Sequence, residues 1–201
     1  MSPRGVAIPD LRERLFAAAE RVVARDGAAA LTSRAVTAEA DCAKGVLHTH
    51  FAGLDEFVAE LVLDRFARAA RLAQALPARA GEGDVADNLA EVALALLDSL
   101  DPGVVGLALT RPASALHTRE ALRSGSPGFT TIEEALRAYL EAERARGRVP
   151  AALDSGAVAL ALVGTVHHLL MTRGPDGPAP RETTARLVAA LLPAPAAPRP
   201  A

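Results

Sequence analysis

RERLFAAAERVVARDGAAALTSRAVTAEADCAKGVLHTHFAGLDEF, residues 12–57, decides how the rest of the chain is read. Around its start, Leu11, Leu15, Ala18, Ala19, Val22 and Val23 recur at helical spacing, which predicts a first helix with one apolar stripe. Asp10 is placed to cap its first turn, with Glu13 three residues on, and Gly27 to end it as a left-handed C′ residue. Thr32 opens a second, short helix reaching about residue 40. Asp41-Cys42-Ala43 reads as a turn, and residues 44–50 as a third short helix. Two short helices across a tight turn, braced by a longer one, make a helix-turn-helix. Its second short helix has the size to enter a major groove about 12 Å wide.

Outward from this stretch the chain keeps reading as helix. Residues 54–76 form one long pattern with Phe57, Leu61, Phe66 and Leu72 among its apolar positions. PARAGEG, 77–83, is the clearest break. Helices are then predicted near 84–99, 103–110, 112–123, 129–146, 154–172 and 181–192, with RGPDGPAP (173–180) as a loop. Residues 1–9 read as a loose arm, and PAPAAPRPA (193–201) as a disordered tail without packing potential. No segment alternates with strand period. The expected fold is all-α: a helix-turn-helix domain over 9–55, a larger helical domain over 56–192, and the tail.

Composition sets bounds. Half the residues are hydrophobic and mean hydropathy is +0.19, but there are only five Phe, one Tyr and no Trp, so Ala, Leu and Val must build the core. No unbroken apolar run reaches the roughly 18 residues of a membrane span, and the N-terminus has no apolar signal core. One cysteine, Cys42, excludes an internal disulfide framework and fits a reducing compartment, so a cytoplasmic protein with no membrane partner is expected. Net charge is −2. Any nucleic-acid binding must therefore come from local placement of cations on one face.

The same 46-residue stretch resembles the DNA-binding domain of TetR-type regulators. The resemblance is carried by Ala18-Ala19, Gly27, Leu31-Thr32, Gly45, and His48-Thr49-His50-Phe51 followed by a polar turn and Phe57. Three positions depart from the pattern: His48 stands for a Tyr, Asp41 for the turn Gly, and Leu54 for a Lys. The resemblance implies a dimer that binds double-stranded operator DNA and a small apolar or amphipathic effector. It places the effector between helices four to eight, and it makes the last two long helices a four-helix bundle with a second copy. RGRVPAALDSGAVALALVGTVHHLL, 146–170, falls where the first of these helices is expected.

Candidate residues follow. Arg34, Lys44 and Gly45 are candidates for base readout, because Arg can bond guanine O6 and N7 together and Gly lets a backbone approach closely. Thr32, Ser33, His48, Thr49 and His50 suit phosphate contacts, and Val46 shares their surface. Phe66, Leu97, Leu107, His117, Phe129, Tyr139, His167 and Met171 are candidates for an effector pocket, with ordinary core as the competing reading of each. Val158, Leu162, Val166, Leu169, Leu187 and Leu191 are expected at the dimer interface, since helix 154–172 is apolar over a wider arc than a monomer needs.

Neither cofactor nor metal is implied. His48 and His50 are two apart on a helix and do not face each other. Catalytic motifs are missing, and Glu133-Glu134 with Glu141 and Glu143 read as a solvated helix face. The expected function is a ligand-responsive transcriptional regulator, a repressor released from its operator by an effector. The alternative is a helical ligand-binding or adaptor protein of the same fold that has lost DNA binding.

Overall fold

A computed structural model describes residues 11–99, 102–172 and 180–192. Among them are ten α-helices and no strand. In chain order these are α1 (Leu11–Asp26), α2 (Ser33–Glu39), α3 (Val46–His50), α4 (Leu54–Ala75) and α5 (Val85–Asp98). There follow α6 (Pro102–Thr110), α7 (Pro112–Arg123), α8 (Phe129–Ala145), α9 (Ser155–Thr172) and α10 (Pro180–Leu191). Short 3₁₀ turns at Ala28–Ala30 and Leu76–Arg79 fill two of the connections. The expected arm, the Asp10 cap, most of the 173–180 loop and the tail lie outside the described residues.

Local chemistry accounts for the helix ends. Gly27 closes α1 by donating to Val23 O at 2.9 Å, with φ 83° and ψ 165°. Its φ is positive as expected, but its ψ is extended rather than left-handed helical, a region open to glycine alone. Thr32 caps α2, its side chain accepting from Ala35 N at 3.1 Å. Asp84 caps α5 in the same way through Ala86 N and Asp87 N.

The chain packs as two units, Met1–Val62 with Asp101–Glu120 and Leu63–Leu100 with Ala121–Ala201. In the first, α1 buries Leu15, Phe16, Ala18, Ala19, Val22 and Val23. Phe16, Phe51 and Phe57 meet there, with ring centroids 5.0–6.0 Å apart. Such pairs contribute about 0.5–1.5 kcal/mol each beyond area burial. Helix α6 packs on α1 and on the Ala28–Ala30 turn, which draws residues 102–110 into this unit.

In the second unit α8 lies along α9, and α5 packs against both α9 and α10. A buried polar knot fastens the α4–α5 connection to α8. Asn88 donates to Tyr139 Oη at 2.8 Å and to Glu82 O at 2.9 Å. Gly81 N donates to Glu143 Oε1 at 3.0 Å, and Arg148 pairs with Glu143 while donating to Gly83 O. Glu143 is thus wholly buried, and not part of a solvated face. A carboxylate can be interior here because a guanidinium and a backbone N–H accompany it.

Helix α9 is long and apolar enough, by length and composition, to cross a membrane, although no unbroken apolar run was found in the sequence. Its polar residues are Ser, Thr and His, which interrupt a run without adding a fixed charge. It buries Val158, Ala159, Leu162, Val163, Val166 and Leu170 within its own unit.

Burial pushes the Tyr139 phenol up to about 12; the bond from Asn88 pulls the other way and Glu143 adds to the rise. An unfolded tyrosine releases its proton near pH about 10. Between those values the unfolded chain binds fewer protons at Tyr139 than the fold does, so the contribution of this group to stability is constant below about pH 10 and declines above it. Tyr139 is the chain's one tyrosine, so near-ultraviolet absorbance reports it alone. A titration midpoint at the ordinary value in the folded protein would contradict the buried knot. Tyr139→Phe is expected to abolish the absorbance change and lower stability by about 1 kcal/mol.

Candidate nucleic-acid interface

The two short helices are held from behind by side chains of α1. Arg21 and Arg25 both pair with Glu39, at 2.7 and 2.8 Å, and Arg14 donates to Ala40 O at 2.7 Å. Glu39 is held below its usual carboxylate range by Arg21 first and Arg25 second. Val36 on α2 and Leu47 on α3 are fully buried and act as the apolar pegs of the two helices.

Between them the turn is longer than expected. Cys42 N donates to Thr37 O at 2.9 Å and Val46 N to Ala43 O at 3.0 Å, so the backbone of 42–45 closes turns before α3 begins. Lys44 therefore stands in the turn and Gly45 at the N-cap, one step before the helix in which both were expected. Asp41 adopts φ 50°, the left-handed conformation for which its residue type is suited. Cys42 is half-buried, its thiol 3.3 Å from Ala40 O.

The outer side of this motif gathers most of the expected residues. Thr32, Arg34, Lys44, Gly45, His48, Thr49 and His50 are exposed, while Ser33 and Val46 are half-buried. Two hydroxyls have local duties: Thr32 caps α2, and Thr49 donates to Gly45 O at 3.2 Å. Of the cations in Leu11–Val62, Arg12, Arg14, Arg21 and Arg25 each bind a protein acceptor. Arg34 and Lys44 have no such partner among the described residues. A carbon added at Gly45 would meet nothing within 4 Å, and its φ of −83° suits any residue. Nothing within the fold demands glycine at this exposed position.

The other expected sites are less concentrated. Phe66, Phe129 and His167 do come together, with centroids 4.8 and 5.1 Å apart and His167 exposed. Leu97 and Tyr139 are fully buried in the second unit's core, and Met171 points out from α9. Leu107 and His117 belong to the first unit, where Leu107 is buried and His117 Nε2 lies 3.3 Å from Glu60. Val158, Leu162 and Val166 are buried within the chain itself. Leu169, Leu187 and Leu191 are half-buried. The outward side of α9 runs instead through Ala157, Leu160, Gly164, His168 and Met171. Sequence reasoning did not single out Leu160, nor the ion pairs Arg12–Glu60 and Asp55–Arg111.

Fold and surface together define an all-α helix-turn-helix protein in which Arg34 and Lys44, the two cations of Leu11–Val62 without a protein acceptor among the described residues, lie exposed on the motif. Residues 15–61 match the model for bacterial regulatory proteins of the tetR family. Among solved structures, one from Mesorhizobium loti MAFF303099 assigned to the TetR family superposes with a TM-score of 0.65. It is 15% identical, and the match covers 93% of this chain and 97% of that one. The FadR regulator of Bacillus subtilis, solved with stearoyl-CoA, gives a TM-score of 0.62 at 14% identity, covering 90% and 97%. The multidrug binding protein EbrR, solved with imidazole, is 30% identical over 92% of this chain and 96% of that one, with a TM-score of 0.49. No curated protein matches the chain. Residues 15–61 thus carry a tetR-family domain of bacterial regulatory proteins, and the chain shares its all-α fold with TetR-family structures.

If Gly45 serves the approach of a ligand and not the fold, Gly45→Ala separates the two. Thermal melting is expected to hold or rise slightly, because alanine reduces the entropy of the unfolded chain by about 0.4–1 kcal/mol. Affinity for a cognate duplex is expected to drop about tenfold or more. A variant that binds DNA like the parent would remove Gly45 from the interface.

Proposed function

We propose that the protein is a ligand-responsive DNA-binding transcriptional regulator, a repressor released from its operator by a small effector. The observation that carries this reading is the exposed surface of residues 32–50, where Arg34 and Lys44 have no acceptor among the described residues while the neighbouring arginines are tied to acceptors. Arg34 reads a base edge, Lys44 a phosphate, and Thr32, Ser33, His48, Thr49 and His50 position the motif on the backbone.

The regulator acts as a homodimer. The outward stripe of α9, with Leu160 58% exposed and Met171 39% exposed beside the small residues Ala157 and Gly164, is the surface we assign to the second copy. Small residues let two helices approach closely, and large apolar ones anchor the contact. Two motifs in such a dimer address half-sites about 34–36 Å apart. The effector is apolar or amphipathic, and the Phe66–Phe129–His167 cluster is where we expect it, with the exposed imidazole as its polar handle. An effector that favours a different spacing of the two motifs lowers DNA affinity by linkage, commonly by about 1–3 kcal/mol.

Selection from a random duplex pool, followed by fluorescence anisotropy, tests the reading. Arg34→Ala should cost about 1–3 kcal/mol and relax preference at one operator position. Lys44→Ala should weaken all sequences alike and reduce the salt slope by about one. Parent-like binding by both variants would move the reading surface elsewhere, and failure of the parent to select any sequence would favour the adaptor alternative.

The dimer is tested separately by sedimentation. Leu160→Arg, at an exposed position, is expected to give folded monomers. Leu162→Arg, at a residue 1% exposed inside its own subunit, is expected to unfold the protein instead. A Leu160→Arg variant that remains dimeric would exclude the α9 stripe as the interface.

A further inference from the structure

Within the first unit, four side chains link α7 to the end of α3. His117 on α7 places Nε2 3.3 Å from Glu60 Oε1 on α4. The other carboxylate oxygen, Oε2, accepts from the Arg12 guanidinium on α1. That guanidinium lies 5.1 Å from the centroid of the Phe16 ring and 5.3 Å from that of Phe51. Phe51 directly follows α3, is 4% exposed, and stands edge-on to Phe57 at 5.0 Å. Asp55 and Arg111 form a second tie, between the first turn of α4 and the residue joining α6 to α7.

We propose that Arg12 and Glu60 are positioning residues that set the seating of α3, and that His117 fixes their geometry from α7. The inference rests on the DNA-binding reading above. A carboxylate held at one oxygen can turn about its side-chain bonds, whereas one held at both cannot. His117 therefore fixes the Glu60 carboxylate, and the fixed carboxylate holds Arg12 over the two aromatic faces. The cation over Phe51 restrains the ring that ends α3, and α3 is too short to keep its own direction. The side chains of Arg12 and Glu60 are 53% and 29% exposed, so they can be replaced without opening the core.

The opposing account treats both groups as surface charge. In that case removing the negative Glu60 strengthens binding to any DNA, and removing Arg12 weakens binding to any DNA equally. The relay predicts the opposite sign for Glu60 and a loss confined to specific binding.

The test uses the full-length protein, a duplex selected by the parent from a random pool, and a scrambled duplex. In fluorescence anisotropy, Glu60→Gln and Arg12→Gln are each expected to weaken binding to the selected duplex about five- to tenfold, with the scrambled duplex changed less than about twofold. The double variant is expected to lose no more than either single one, since both remove the same restraint. His117→Phe should show a smaller loss that disappears in the Glu60→Gln background. Tighter binding of Glu60→Gln to both duplexes, or additive losses, would overturn the proposal. Amide hydrogen exchange on the free protein provides a readout independent of DNA. Residues 46–51 should exchange faster in Glu60→Gln while 85–98 keep the parent rate. If the parent selects no duplex, the DNA-binding reading falls, and unchanged protection at 46–51 separately overturns the relay.

Discussion

A five-residue helix has under two turns and closes too few internal hydrogen bonds to hold its own shape in water. Everything that α3 presents therefore depends on the apolar contact behind it. Leu47 and Phe51 supply that contact, with Phe51 set against Phe16 and Phe57. The chain has only five phenylalanines, and three of them meet at this point. Ala, Val and Leu fill most of the rest of the core, with Phe66, Ile132 and Tyr139 among them. Three large rigid rings behind α3 favour one orientation of that helix over its neighbours. With Leu47 and Phe51 turned inward, His48, Thr49 and His50 are left on the outside. The exposed surface is thus the geometric complement of the buried one.

Most of the fold was legible because helices are local objects. The apolar spacing of α1, the Thr32 cap and the break at 77–83 each involve residues within a turn or two of one another, so each helix was found to within about two residues of its observed ends. The start of α3 was misjudged because the turn's backbone bonds, to Thr37 O and Ala43 O, leave no periodic trace in the side chains. The candidate surface was legible for a different reason: a short motif fixes which side faces out once its apolar pegs are known.

What remained hidden depends on distance along the chain. Glu60 lies 48 residues from Arg12 and 57 from His117, and nothing in the local sequence shows that these three side chains meet. Glu143 looked like a member of an acidic face, because only the folded chain shows Gly81 and Arg148 arriving beside it. Helix α9 is apolar nearly all round, so its periodicity could not separate Val158, Leu162 and Val166, which pack inward, from Leu160 and Met171, which do not. The eight residues grouped as a pocket were chosen for being large or polar in an apolar setting, a criterion blind to which unit each joins.

The pairing of most arginines in the helix-turn-helix has a kinetic consequence. A cation already bound to a carboxylate or carbonyl attracts passing phosphates weakly, and among the described residues of Leu11–Val62 only Arg34 and Lys44 lack such a partner. On the proposed reading, encounters with unrelated chromosomal sequence are therefore brief, and little of the protein is sequestered along the genome between visits to its target. The time such a regulator spends searching is then governed by free diffusion more than by sliding, and a small number of copies can remain available to a single site.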